Sequence, residues 1–248
     1  MILHHVFEGV GPPLLLLHSW TTDARQWQRQ VRDLRSDHMI VAPDFRGYGR
    51  SPLTPAPFSH ADDIVGLLDH RGIERCAVVA SSGGGAVALQ VASAVSDRVS
   101  ALVLLCAAAE GVGPTDYLRA LNQRERALLQ AGEVSGATEL NVTTWLQPEV
   151  DAPTRELFCE MQSNAFRVQL AAGGDVYEED AEIQLARITC PATVITGDKD
   201  LDWFQAVGDH LATELPRADR IELSWAGHLP NLERPTETTD LIRAIVQQ

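Results

Sequence analysis

The sequence predicts an α/β fold, a mostly parallel sheet flanked by helices, and three observations carry that prediction. Continuous apolar runs of strand length, such as "LLLL" at 14–17 and "CAVVA" at 76–80, alternate with segments of helical period. A run that is apolar at every position suits a strand buried on both faces, the condition of a parallel sheet covered by helices. The alternation breaks between about residues 111 and 188, where helical patterns occur with no strong strand. Helices inserted there predict a cap over the carboxyl ends of the strands, where open sheets bind ligands. The expected organisation is therefore a core made of residues 1–110 and 189–248 and a helical cap made of 111–188.

In chain order, "LLLLH" (14–18) reads as a buried strand, and Trp27, Val31 and Leu34 then share one helix face. "MIVAPDF" (39–45) is the next strand, stopped by the turn-rich "RGYGRSP"; Ile64, Leu67 and Leu68 mark a helix. "CAVVA" is a strand, Val87, Val91 and Val95 mark a helix, and "ALVLLCA" (101–107) is a strand. The cap carries "TDYLRALNQRERALLQ", "GATELNVTTWL" and "PTRELFCEMQSNAFRVQL"; in the last, Phe158, Met161 and Ala165 share a face, and Pro153 suits the first turn. "ATVITG" (192–197) is a strand, Phe204, Val207, Leu211 and Leu215 lie on a helix face, "RIELSW" is the last strand and "TETTDLIRAIV" the last helix.

Composition narrows the function classes. The 248 residues carry a formal net charge of −14 and no basic patch, which argues against nucleic acid and against a membrane surface as partners. "MILHHVFEG" lacks the pattern of a secretory signal, and no apolar run is long enough to span a bilayer. Cys76, Cys106, Cys159 and Cys190 show neither CxxC nor metal-ligand spacing and read as reduced thiols of a cytoplasmic protein. The expected partner is a small-molecule substrate.

The stretch "CAVVASSGGGAVAL" (76–89) admits two readings. Gly83, Gly85 and Ala88 satisfy G-x-G-x-x-A, a phosphate cradle. That fingerprint wants an acidic residue at the end of the following strand, where alanines stand, and it belongs in the first βα unit, which this is not. The other reading is a strained strand-to-helix turn presenting a nucleophilic serine, with small residues two before and two after it. Ser81 would put Val79 in a tight position; Ser82 is flanked by Ala80 and Gly84, and only Ser82 fits. A serine needs a base. His4 and His5 are terminal, and His38, His60, His70 and His210 sit in or beside helices, whereas His228 follows the last strand in "WAGHLPNLERP". "TGDKDLDW" offers Asp198, Asp200 and Asp202 to orient it, with Asp198 within the turn and Asp202 placed to open and cap the following helix.

At these positions the chain resembles the α/β-hydrolase superfamily over nearly its whole length. It carries "LLLLHSW" for strand-His-Gly-x, "DFRGYGRS" for D-x-R-G-x-G-x-S, "ASSGGGA" for the elbow, "GDKD" for G-x-x-D and "AGHLPNLERP" for G-H-x-x-x-x-E-x-P. The resemblance implies an α/β-hydrolase fold with Ser82 as nucleophile, Asp200 as the acid and His228 as the base. It implies an oxyanion hole from the backbone N–H groups of Trp20 and Gly83, and structural roles for Asp44 and Arg46. Ser19 departs from the usual glycine of the oxyanion loop, and Ala80 from the first elbow glycine.

The implied reaction is acyl transfer to water without metal or cofactor. A serine at the elbow argues against haloalkane dehalogenases and epoxide hydrolases, which use aspartate there. "HSWTTDARQWQRQVRDL" and the short cap are similar to small capped ester and lactone hydrolases, the 3-oxoadipate enol-lactonase-like group included. Trp145, Phe158, Met161 and Phe166 are the candidate pocket residues beneath the cap. The alternatives are a C–C bond hydrolase, a cofactor-free haloperoxidase-like esterase, and a slow-turnover small-molecule receptor or signalling protein.

Overall fold

A computed structural model describes residues 1–173, 179 and 183–247. Seven strands form one sheet: β1 (His5–Gly9), β2 (Pro13–Leu17), β3 (Met39–Pro43), β4 (Cys76–Ser81), β5 (Val99–Leu105), β6 (Ala192–Gly197) and β7 (Ala218–Leu223). Their order is β1-β3-β2-β4-β5-β6-β7; only the edge strand β1 is antiparallel to its neighbour. The strand β1 is absent from the sequence reading for a physical reason: "HVFEG" buries none of its residues fully and so shows no apolar run.

The apolar runs divide their side chains between two cores. Leu15, Leu17, Val78, Ala80, Leu102 and Leu104 face one side of the sheet. They pack there with residues of α2 (His60–His70), α3 (Gly83–Ala94) and α7 (Asp202–Glu214). Leu14, Leu16, Val79, Val103 and Leu105 face the other side, under α1 (Gln28–Leu34) and α9 (Pro235–Val246). Strict alternation of faces within a run apolar throughout is what a strand covered on both sides requires. Ser59 caps α2, its side chain accepting from the Asp62 N–H.

Between β5 and β6 lie α4 (Asp116–Gln130), α5 (Val134–Trp145) and α6 (Ala152–Ala172). Thr115 caps α4, and Asp151 caps α6, ahead of a proline in its first turn. A third apolar cluster, including Leu118, Val142, Trp145 and Phe158, joins these helices to Phe204 of α7 and to Leu229 and Leu232, the latter in the short α8 (Pro230–Glu233). The expectation that Asp202 caps α7 is corrected: Leu201 occupies the cap position without a side-chain bond, and Asp202 is the first helical residue. Among the described residues no helix is long and apolar enough to cross a membrane.

The chain runs from β2 outward to β3 and then returns across β2 to β4, so the strand order reverses between β2 and β4. Trp20 follows β2 and Ser82 follows β4. Both therefore stand at the carboxyl ends of the strands, beside the switch point where such sheets leave a crevice.

Candidate active site

The turn after β4 holds Ser82 at φ 51° and ψ −120°, a conformation that costs a non-glycine residue about 1–3 kcal/mol. Backbone bonds hold it there: the Ser82 N–H donates to Leu105 O at 2.9 Å, and its carbonyl accepts from Gly85 at 2.8 Å and Ala108 at 2.9 Å. Gly84 must lack a side chain because a Cβ would lie 2.4 Å from the His18 carbonyl oxygen, where α3 meets the end of β2. Ser81, one residue earlier, is fully buried with an unpartnered hydroxyl.

The structure brings Ser82, His228 and Asp200 together. Ser82 Oγ and His228 Nε2 lie 2.8 Å apart, as do His228 Nδ1 and Asp200 Oδ2. A carboxylate only accepts, so Nδ1 carries the proton and the Nε2 lone pair is left for the serine hydroxyl. Asp200 Oδ1 accepts the Leu201 N–H at 2.7 Å. Its side chain is 1% exposed, while Asp198 is an exposed residue.

The His228 loop is gripped from both sides by Glu233. One of its carboxylate oxygens accepts from Gly227 N at 2.7 Å and the other from Leu229 N at 3.3 Å. Burial pushes the Glu233 carboxyl above its ordinary range, against the pull of those two donors. The imidazole packs against the rings of Phe204 (centroids 4.2 Å apart) and Trp145 (4.5 Å), which also touch each other.

On the β2 side, His18 donates from Nδ1 to Ser19 O at 2.8 Å and accepts the Phe45 N–H at Nε2, 3.0 Å away. Burial lowers its pKa, so it stays neutral in both roles. Ser19, in place of the usual glycine, donates its N–H to Gln26 Oε1 at 3.0 Å, and its hydroxyl pairs with Thr21. These contacts hold the segment leading to Trp20, whose ring lies over Gly83 so closely that a Cβ there would sit 2.2 Å from it. Gly83 opens α3, and the first N–H groups of a helix have no intrahelical partner. Asp44 accepts from the backbone of Ala24 and Arg50, and Arg46 makes a bidentate pair with Asp63; both residues brace loops.

Ser82 and His228 open into a cavity of about 510 Å³. Two of the four candidate pocket residues, Trp145 and Phe166, line it. The other two are corrected: Phe158 and Met161 are completely buried, Phe158 within the cluster that fastens the inserted helices to the core. The face of α6 that carries 158, 161 and 165 packs inward, and the neighbouring stripe of Gln162, Phe166 and Gln169 reaches the cavity. The sequence reading missed Tyr48, Glu125, Asn141 and Gln162, and it placed His60 outside the site although it lines the wall. The available signal was polar residues within otherwise buried stripes: Asn141 is 4% and Gln162 2% exposed. Burial drops the His60 pKa to about 3, so it is a neutral wall group.

Among the described residues, Cys106, Asp200 and His228 place donor atoms within 4.8 Å of one another, a spacing open to a metal ion. Their chemistry fits poorly. The Cys106 thiol donates to Gly227 O, and burial pushes its pKa far up, so the thiolate a metal needs is disfavoured.

The family described as alpha/beta hydrolase matches residues 14–241. A 3-oxoadipate enol-lactonase from Acinetobacter baylyi is 24% identical over 245 residues, covering 96% of this chain and 89% of the relative. A pimeloyl-acyl-carrier-protein methyl ester esterase from Chromobacterium violaceum is 29% identical over 248 residues, covering 96% and 94%. Among solved structures, a thermophilic esterase from Thermogutta terrifontis superposes with a TM-score of 0.83 at 24% identity, covering 99% of this chain and 93% of that one.

Proposed function

The chain belongs to the alpha/beta hydrolase family, and from that premise we propose that it is a serine hydrolase cleaving a small carboxylic ester or lactone through an acyl-enzyme on Ser82. The observation that carries this reading is the unbroken chain of hydrogen bonds from Asp200 through His228 to Ser82 Oγ, opening into a cavity. The esterase and lactonase names borne by relatives matched over most of their length agree with it.

In the proposed cycle His228 Nε2 takes the Ser82 proton as Oγ attacks the substrate carbonyl. Asp200 stabilises the resulting imidazolium, and the N–H groups of Trp20 and Gly83 receive the developing oxyanion. His228 then gives its proton to the leaving oxygen and takes one from water as the hydroxide so formed attacks the acyl carbon; the adduct collapses to release the acid, and His228 returns its proton to Ser82 Oγ. Residues 111–188 act as the cap, with Trp145 and Phe166 in contact with the substrate. Every group in the cycle belongs to the chain, so activity is expected to survive exhaustive dialysis against EDTA. The test is labelling by a fluorophosphonate together with turnover of an aryl acetate. Both should be present in the wild type and absent from Ser82→Ala; labelling at another residue, or a divalent-ion requirement, would overturn the reading.

A further inference from the structure

The cavity onto which Ser82 opens has a charge pattern that restricts the substrate. Glu125 on α4 lines it, held by Asn141 on α5. The orientation of Asn141 is determined: the Trp145 indole N–H, which can only donate, gives its hydrogen to Asn141 Oδ1 at 2.6 Å. The Asn141 amide nitrogen therefore faces Glu125 Oε2 and, at 3.0 Å, Ala137 O. Both amide hydrogens are used, and Glu125, anchored through one oxygen, has acceptor capacity to spare. Gln162 lines the same cavity, its Oε1 itself buried and unpartnered.

Among the described residues that line the cavity, nothing positive balances Glu125. There is no Arg or Lys among them, and residues 174–178, 180–182 and 248 contain none either. His60 is held neutral by burial. The net charge of −14 acts in the same direction on an approaching anion.

We propose that the cavity admits esters whose far end is a neutral or cationic hydrogen-bond donor and turns away those ending in a carboxylate, with Glu125 as the specificity-determining group. The proposal rests on the reading of Ser82 as the nucleophile beneath the same cavity. A hydroxyl or ammonium group at the far end donates to Glu125; a carboxylate there faces a like charge across a partly desolvated gap.

Two series of substrates test it. One is aryl esters with hexanoyl, ω-hydroxyhexanoyl, ω-aminohexanoyl and adipoyl groups; the other is acetates of alcohols ending in methyl, hydroxyl, ammonium and carboxylate. In wild-type protein, kcat/KM for the carboxylate-ended member of at least one series should fall about tenfold or more below the hydroxyl and ammonium members. In Glu125→Gln that ratio should shrink to within roughly threefold, because the like charge is gone. The wild-type ratio needs no variant and stands even if Glu125→Gln does not fold. Equal rates for carboxylate-ended and hydroxyl-ended esters in both series, or a ratio unchanged in a folded Glu125→Gln, would overturn the proposal while leaving Ser82 in place. A wild-type protein that neither labels with fluorophosphonate nor cleaves any member would bring down the nucleophile and this proposal together.

Discussion

Asparagine in place of Asp200 keeps the shape of the side chain and exchanges two acceptors for one acceptor and one donor. In the native site both oxygens are engaged, Oδ2 by His228 Nδ1–H and Oδ1 by the Leu201 N–H. If the new amide keeps its oxygen on Leu201, its NH2 faces Nδ1, and the imidazole must move its proton to Nε2. That proton then points at Ser82 Oγ, and the base has no lone pair where it is needed. If the amide flips, two N–H donors oppose each other at the helix entry, costing about 1–3 kcal/mol. The wrong tautomer has cost about 10,000-fold in a serine protease, equivalent to about 5 kcal/mol in the transition state. Asp200→Asn is therefore expected to lose roughly three to four orders of magnitude in aryl acetate kcat at neutral pH, with a similar loss in fluorophosphonate labelling rate and little change in Tm. Asp198→Asn, at an exposed position, and Asp202→Asn, which caps nothing, should stay near wild type. An Asp200→Asn protein within about tenfold of wild type would mean that the carboxylate does not set the tautomer.

Ser81→Ala should keep most activity and stay as stable as wild type, since it removes a buried hydroxyl with no partner; a dead Ser81→Ala beside an active Ser82→Ala would place the nucleophile one residue earlier. Phe158→Ala should cost about 3–5 kcal/mol in chemical denaturation, whereas Trp145→Ala should chiefly alter the preferred acyl size; the reverse pattern would mean the two residues exchange roles. Acid should destabilise the fold through His60, whose folded pKa of about 3 lies below its ordinary 6.5. The unfolded chain takes up the proton first, so stability is complete above about pH 6.5 and falls progressively towards about pH 3, by roughly 2–3 kcal/mol at about pH 4.5. A pH series of melting curves that is as steep in His60→Gln as in wild type would exclude His60 as the cause; His18, also lowered by burial, acts in the same direction.

The inner parallel strands β2 to β6 were legible because strands buried on both faces leave apolar runs that need no context. β1 and the four-residue α8 were not, the first half-exposed at a sheet edge and the second too short to show a period. The serine was legible for a local reason, the steric demand at Ala80 and Gly84, which is a property of one turn. The acid was harder: Asp198, Asp200 and Asp202 are spaced alike, and what separates them is burial against a loop 28 residues further on. The cavity wall was least legible. Two adjacent stripes of α6 both carry large side chains, and only the packing of α4 and α5 decides which one faces the cavity. Glu125 and Asn141 read as polar helix positions until their helices are laid side by side.

The span between Ser82 and His228, 146 residues, also sets the order in which the proposed nucleophile and base are made. While the ribosome is still adding residues beyond β5, the emerging polypeptide already holds the serine turn but no base. Translation must deliver β6, β7 and the loop gripped by Glu233 before the imidazole arrives. Helix α9 then fastens onto α1, Thr239 to Gln30 and Arg243 to Asp33. On the proposed assignment, a nascent chain that lacks the His228 loop should be chemically silent. In a cell-free translation, fluorophosphonate reactivity should appear only in chains that extend past Glu233, a clock for delivery of the base built into the chain itself.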